Sequence, residues 1–119
     1  MRVTPAYLES VASFYDLLHT EPVGNHKVAV CTNLSCWMRG GDELLDAFCA
    51  AAEGEDVFVT GFECLGACDI APMASIDERY FGPLENGDAA TAIKQLAAGQ
   101  DVLPDKALAK RPLAGGPDA

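Results

Sequence analysis

Val57-Phe58-Val59-Thr60-Gly61-Phe62-Glu63-Cys64-Leu65-Gly66-Ala67-Cys68-Asp69-Ile70-Ala71-Pro72 decides the reading of this chain. An apolar, β-prone run ends in a closely spaced cysteine pair, and small residues fill the loop that follows. A second stretch repeats the arrangement upstream: Lys27-Val28-Ala29-Val30 runs straight into Cys31-Thr32-Asn33-Leu34-Ser35-Cys36. Two loops at strand ends can converge in space and bring four thiolates together. Four converging thiolates bind a soft metal or an iron–sulfur cluster.

The rest of the composition bounds that idea. A length of 119 residues allows one domain with a modest core. Half the residues are hydrophobic and 22% charged, which is globular rather than disordered. No apolar run reaches the roughly 18 residues of a membrane span, and the first ten residues lack a signal-peptide core. Five cysteines without such a signal point to the reducing cytoplasm, where paired Cys more often hold metal than form disulfides. A formal charge of −10 argues against nucleic acid and against anionic lipid. It suits a protein partner with a basic patch, and equally plain solubility.

Along the chain, Pro5 to Leu18 reads as a helix with Thr4 as N-cap and Pro5 at the first helical position. Its apolar stripe of Leu8, Val11, Phe14/Tyr15 and Leu18 is expected to pack on the core, with a partner-facing surface as the alternative. Residues 21–25 are a turn, and Val28-Ala29-Val30 reads as a strand buried on both faces. Asp42 is expected to cap a helix over Glu43–Glu53, with Leu44/Leu45, Phe48/Cys49 and Ala52 inward. Val57–Phe62 is the second strand. Met73–Ile76 and Tyr80-Phe81 form a hairpin through Asp77-Glu78-Arg79, and a last helix runs from Asp88 to Ala98 with Ala89/Ala90, Ile93 and Leu96/Ala97 inward. Residues 101–119 show no period and read as a flexible tail. The order of elements predicts a small α/β layer fold with helices against a mixed sheet.

Spacing excludes several cluster types. There is no third Cys two residues beyond Cys36, as plant-type ferredoxins need, and no C-x2-C-x2-C run. His19 and His26 both precede the first Cys, against a Rieske centre, and neither pair is the C-x-x-C of a thioredoxin-type catalyst. Structural zinc stays open, because gaps of two to four residues are normal in four-cysteine zinc sites. Unliganded or disulfide-forming thiols stay open as well.

Cys64-Leu65-Gly66-Ala67-Cys68-Asp69-Ile70-Ala71-Pro72 resembles the CLGAC-x-x-AP signature of the thioredoxin-like 2Fe–2S ferredoxins. That family includes the E subunit of NADH–quinone oxidoreductase and related subunits of NAD-linked hydrogenases and formate dehydrogenases. Val11-Ala12-Ser13-Phe14-Tyr15 is similar to the family's VATFY helix, and Glu21-Pro22-Val23-Gly24 to its P-x-G turn. Cys31 to Cys36 is similar to its first ligand loop, and Gly40 or Gly41 with Leu44-Leu45 to the helix after it. The resemblance covers roughly residues 5 to 100. It implies a thioredoxin-like small mixed sheet flanked by helices over residues 25–100, preceded by an N-terminal helix and turn (1–24) left from a helical bundle. It also implies a 2Fe–2S cluster with Cys31 and Cys36 on one iron and Cys64 and Cys68 on the other.

Gly66 and Ala67 would let backbone N–H groups approach the sulfurs, which raises a cluster's reduction potential. Gly66 equally suits a turn with positive φ. Ala71-Pro72 would stiffen the loop's exit. Leu34, Trp37, Leu65 and Ile70 are expected to shield the site, with Trp37 the best candidate for a surface that awaits a partner. Cys49, on a core stripe, is expected to be a buried free thiol. No catalytic constellation and no nucleotide-binding glycine fingerprint is present. The resemblance therefore implies a one-electron carrier of an NADH dehydrogenase (quinone), cytoplasmic or held at the membrane by a larger complex, with no independent catalysis. Its expected partner is a flavoprotein that binds FMN and NADH. A free-standing 2Fe–2S ferredoxin and a zinc-bound four-cysteine adaptor module are the alternatives, and the exposed N-terminal helix is expected to allow weak self-association.

Overall fold

The computed structural model describes residues 2–15 and 18–110. Thr4 caps α1 (Pro5–Phe14) by accepting the Tyr7 N–H at 3.2 Å, with proline at the first turn as expected. The helix stops at Phe14, earlier than Leu18, and Asp16 and Leu17 of the expected helix lie outside the described residues. No residue of α1 is buried, and Phe14 is 80% exposed. The expectation that this stripe packs on the core is thus corrected. Helical periodicity marks an apolar face but does not say that anything covers it.

The sheet is built from β1 (His26–Cys31), β2 (Val57–Phe62), β3 (Ala74–Ile76) and β4 (Arg79–Phe81) in the order β2-β1-β3-β4. β1 and β2 run parallel, so the chain must cross over between them, and it does so through α3 (Gly41–Ala51). β3 pairs antiparallel with both β1 and β4. The β3–β4 hairpin turns through Asp77 and Glu78, both at positive φ (47° and 69°), the type I′ geometry that suits the twist of a hairpin.

One face of the sheet makes the core. Val28, Val30, Ala74, Ile76 and Phe81 meet Leu44 and Phe48 of α3 and Ala89, Ala92, Ile93 and Leu96 of α4 (Asn86–Ala98). The other face is only half-buried: Ala29, Phe58, Thr60, Ser75 and Tyr80 all retain solvent contact. β1 is therefore an internal strand buried on one face, not two. Its small Ala29 at the sheet centre made the run look continuously apolar.

Three further expectations change. α3 begins at Gly41 after a left-handed Gly40, and Asp42 sits inside the first turn, where a carboxylate favours the helix dipole without capping by side chain. Cys49 is exposed, because the buried stripe centres on Leu44 and Phe48 and turns the next residue about 100° away. α4 starts earlier than Asp88, at Asn86, where Glu85 and Asp88 form a reciprocal capping box. Its inward residues include Ala92, while Ala90 and Ala97 face solvent.

Residues 101–110, expected as a flexible tail, pack on the domain. Val102 and Leu103 are 3% and 7% exposed within the main core. The Leu103 N–H donates to Gln95 Oε1 at 2.9 Å, the Gly82 N–H to the Lys106 carbonyl at 3.0 Å, and Ala107 bridges Phe81 on the outer edge of β4. Residues 111–119 of that expectation lie outside the described residues.

Candidate metal centre

The parallel pairing of β1 with β2 brings the two cysteine loops together. Their register sets Cys31 opposite Phe62, two residues before Cys64, so both loops leave the same end of the sheet. The Thr32 N–H and hydroxyl both donate to the Phe62 carbonyl, at 2.9 and 3.2 Å, and lash the loops to each other. Cys31 closes β1. Cys36 lies on α2 (Leu34–Met38), a one-turn helix that Asn33 caps through its side chain. Cys64 follows β2, and Cys68 opens a 3-10 turn over Cys68–Ile70. α3 can start against this loop only because residue 41 is glycine: a Cβ there would sit 2.8 Å from the Cys31 carbonyl and 2.9 Å from that of Cys36.

The sulfurs stand in two pairs. Cys31 acts on the titration of Cys36, and Cys64 on that of Cys68, each through hydrogen bonding and charge. The pairs also feel each other, since charge on Cys31 or Cys36 couples to charge on Cys68. Burial above all, then the hydrogen bond with Cys31, pushes the Cys36 thiol up to about 11, while a hydrogen bond from the Met73 backbone opposes this. The charge of Cys64 foremost, then desolvation, raises Cys68. Thiolates held this close repel one another, and a cationic metal centre relieves the repulsion. All five cysteines are free thiols, without a disulfide among them.

Four thiolates suit either a structural zinc or an iron–sulfur cluster. A structural zinc draws four sulfurs to about 2.3 Å from one ion. A 2Fe–2S cluster is held by four thiolates, two on each iron. Two adjacent thiol pairs fit that group.

A small satellite core backs the centre, built from Cys31, Cys36, Ala67, Ile70, Ala71 and Met73 with Leu65 and Tyr80 against it. Ile70 and Leu65 shield the site as expected. Leu34 and Trp37 do not: both are exposed, so the solvent side of α2 is open. Gly66 has φ of 77° with nothing within 4 Å of where a Cβ would be, so its backbone conformation and not close packing is what calls for glycine. The Met73 N–H, which donates to the Cys36 sulfur, escaped the reading of the sequence. So did the Glu63 carbonyl, which accepts from the Cys31 thiol at 3.9 Å. Backbone donors and acceptors leave no mark in side-chain spelling.

Known proteins are similar to this chain. The model of the thioredoxin-like [2Fe-2S] ferredoxin family matches residues 1–97. The second NADH-quinone oxidoreductase E subunit of Rhizobium meliloti (strain 1021) is 34% identical over 91 residues, covering 70% of this chain and 54% of the relative. The NADH-quinone oxidoreductase E subunit of Rickettsia typhi is 31% identical over 94 residues, covering 71% and 55%. The chain thus spans about half the length of the curated relatives it matches. Among solved structures, a thioredoxin-like [2Fe-2S] ferredoxin from Aquifex aeolicus superposes with a TM-score of 0.65 at 19% identity, over 73% of this chain and 94% of that one. A chain of an NAD+-reducing [NiFe]-hydrogenase superposes with a TM-score of 0.70 at 23% identity, over 83% of this chain and 19% of that one. Both share the fold described above.

Proposed function

This chain belongs to the thioredoxin-like [2Fe-2S] ferredoxin family, and we propose from that premise that it carries single electrons for a flavoprotein that oxidises NADH. Cys31 and Cys36 would hold one iron, and Cys64 and Cys68 the other. The observation that carries the reading is the convergence of the two cysteine loops at the shared end of β1 and β2. When bound, the cluster takes up or gives up one electron, so two such transfers balance the hydride that a flavin removes from NADH.

The chain's own residues set the conditions for that exchange. The Met73 N–H favours the thiolate form of Cys36 and draws electron density from its sulfur, which raises the reduction potential. Ile70, Ala71, Ala67 and Met73 keep water from the inner side of the centre. Thr32 and Asn33 hold the first loop in place, and the exposed sulfurs of Cys64 and Cys68 leave the outer side accessible. The names of the relatives support a carrier that serves a quinone-reducing NADH dehydrogenase, and its place in the cytoplasm beside the flavin- and NADH-binding subunit is part of the proposal. Among the described residues no helix is long and apolar enough to cross a membrane.

Mixing the cluster-loaded chain with NADH and following the visible spectrum tests the proposal. The spectrum should stay oxidised until the flavoprotein subunit of the dehydrogenase is added, and then bleach. Bleaching by NADH alone, in protein free of flavin, would contradict it.

A further inference from the structure

α2 carries its apolar stripe outward. Leu34, Trp37 and Met38 stand at i, i+3 and i+4 and so share one face of the helix. They are 65%, 57% and 72% exposed, while Cys36 between them points inward and is 1% exposed. A helix stabilised by its own domain places large apolar side chains the other way. Together the three present an apolar patch on the order of a few hundred Å², the size that on a small domain marks a contact site.

Charge around the patch says what kind of contact it is. Asp42 and Glu43 lie in the first turn of α3, which packs on α2, Glu63 precedes Cys64 and Asp69 follows Cys68, all four of them exposed. Arg39 is the one base in residues 32–45 and 63–70. An apolar centre within an acidic rim is complementary to an apolar pocket within a basic rim.

We propose that the Leu34–Trp37–Met38 face is where the redox partner docks, and that this partner offers a pocket for Trp37 surrounded by Lys and Arg. The proposal rests on the reading of the chain as a carrier for a flavoprotein. Trp37 is bonded to Cys36, and Cys64 and Cys68 emerge at the same end of the sheet. A partner seated on α2 therefore rests on the first ligand loop, next to the end of the sheet where Cys64 and Cys68 are exposed. A rival surface is the open face of the sheet, a groove of about 540 Å³ lined by Lys27, Phe58, Thr60, Tyr80 and Cys64 among others, so it too reaches a ligand loop. Its aromatic walls are half-buried and its charges, Lys27 and Glu78, balance, so it offers neither exposed anchors nor a charged rim.

The test compares the cluster-loaded wild type, Trp37→Ser/Met38→Ser on α2, and Thr60→Arg on the sheet face. Calorimetric titration with the flavoprotein subunit of the dehydrogenase gives the Kd, and reduction by dithionite reports the cluster without a partner. The α2 variant should bind about tenfold more weakly or worse, yet reduce normally with dithionite. Thr60→Arg should bind as wild type does. Asp42→Asn/Glu43→Gln should flatten the loss of affinity with added salt. An α2 variant that binds as tightly as wild type overturns the proposal, and loss of binding in Thr60→Arg alone would move the contact to the sheet. A wild type that reduces with dithionite but does not bind the flavoprotein refutes the carrier reading itself, and this proposal with it.

Discussion

Ending the chain after Gln100 should cost a large part of its stability, although the segment removed has no legible period. Val102 and Leu103 are buried against α4 and the sheet. Losing the burial of a Val and a Leu costs about 1.5–3 kcal/mol each, so the truncation forfeits about 3–6 kcal/mol before hydrogen bonds are considered. It also removes the partners of Gly82 N–H and Gln95 Oε1 and bares the edge of β4. A chain of this length has a total stability of about 6–18 kcal/mol. With a urea slope of about 1–3 kcal/mol/M, the midpoint should fall by about 2 M. The single substitution Leu103→Ala should account for about 2–5 kcal/mol. Leu103 has φ of 36°, so Leu103→Gly regains about 1 kcal/mol of left-handed strain and should be no worse than Leu103→Ala. Urea unfolding followed by far-UV circular dichroism measures all three. A truncated chain with an unchanged midpoint would refute the assignment of residues 101–110 to the folded unit.

Other outcomes follow from burial and from the thiols. Cys49→Ala, at an exposed position, should leave the visible spectrum intact and shift stability by less than about 0.5 kcal/mol; a bleached variant would make Cys49 a ligand. Phe14→Ser and Tyr15→Ser should be equally mild, because α1 buries nothing, and sedimentation at increasing concentration shows whether they abolish any weak self-association of the wild type. In the metal-free chain Cys36 is raised from 9.0 to about 11, so the folded state favours its neutral thiol. That stability is present below pH 9 and is lost as pH rises toward 11. The urea midpoint of metal-free protein should therefore drop over that window. At pH 8 iodoacetamide should label Cys36 far more slowly than Cys49, and equal rates would contradict the burial of the pair.

That the two cysteine loops meet at one end of the sheet was legible because each hangs from an apolar run, which also marked β1 and β2. The hairpin could be read from two short apolar stretches around Asp77-Glu78-Arg79. What could not be read was cover. The stripe of α1 has the same period as that of α3, but only α3 has a sheet and a second helix against it. Cys49 differs from Phe48 by one helical step, and only packing decides which of them faces in. Val102 and Leu103 sit among Pro and charged residues with no repeating pattern, and Gln95, eight residues away on α4, is what anchors them. The outward face of α2 was partly legible: Trp37 stood out as a candidate surface residue, but Leu34 looks like shielding until the helix is seen to turn Cys36 inward instead.

The most direct test of the four-thiolate centre is metal and sulfide analysis of the chain purified without oxygen, beside Ala variants at Cys31, Cys36, Cys64 and Cys68. The wild type should be brown and hold about two irons and about two acid-labile sulfides per chain. Each of the four variants should lose the colour. A colourless wild type with about one zinc and no sulfide would contradict the account.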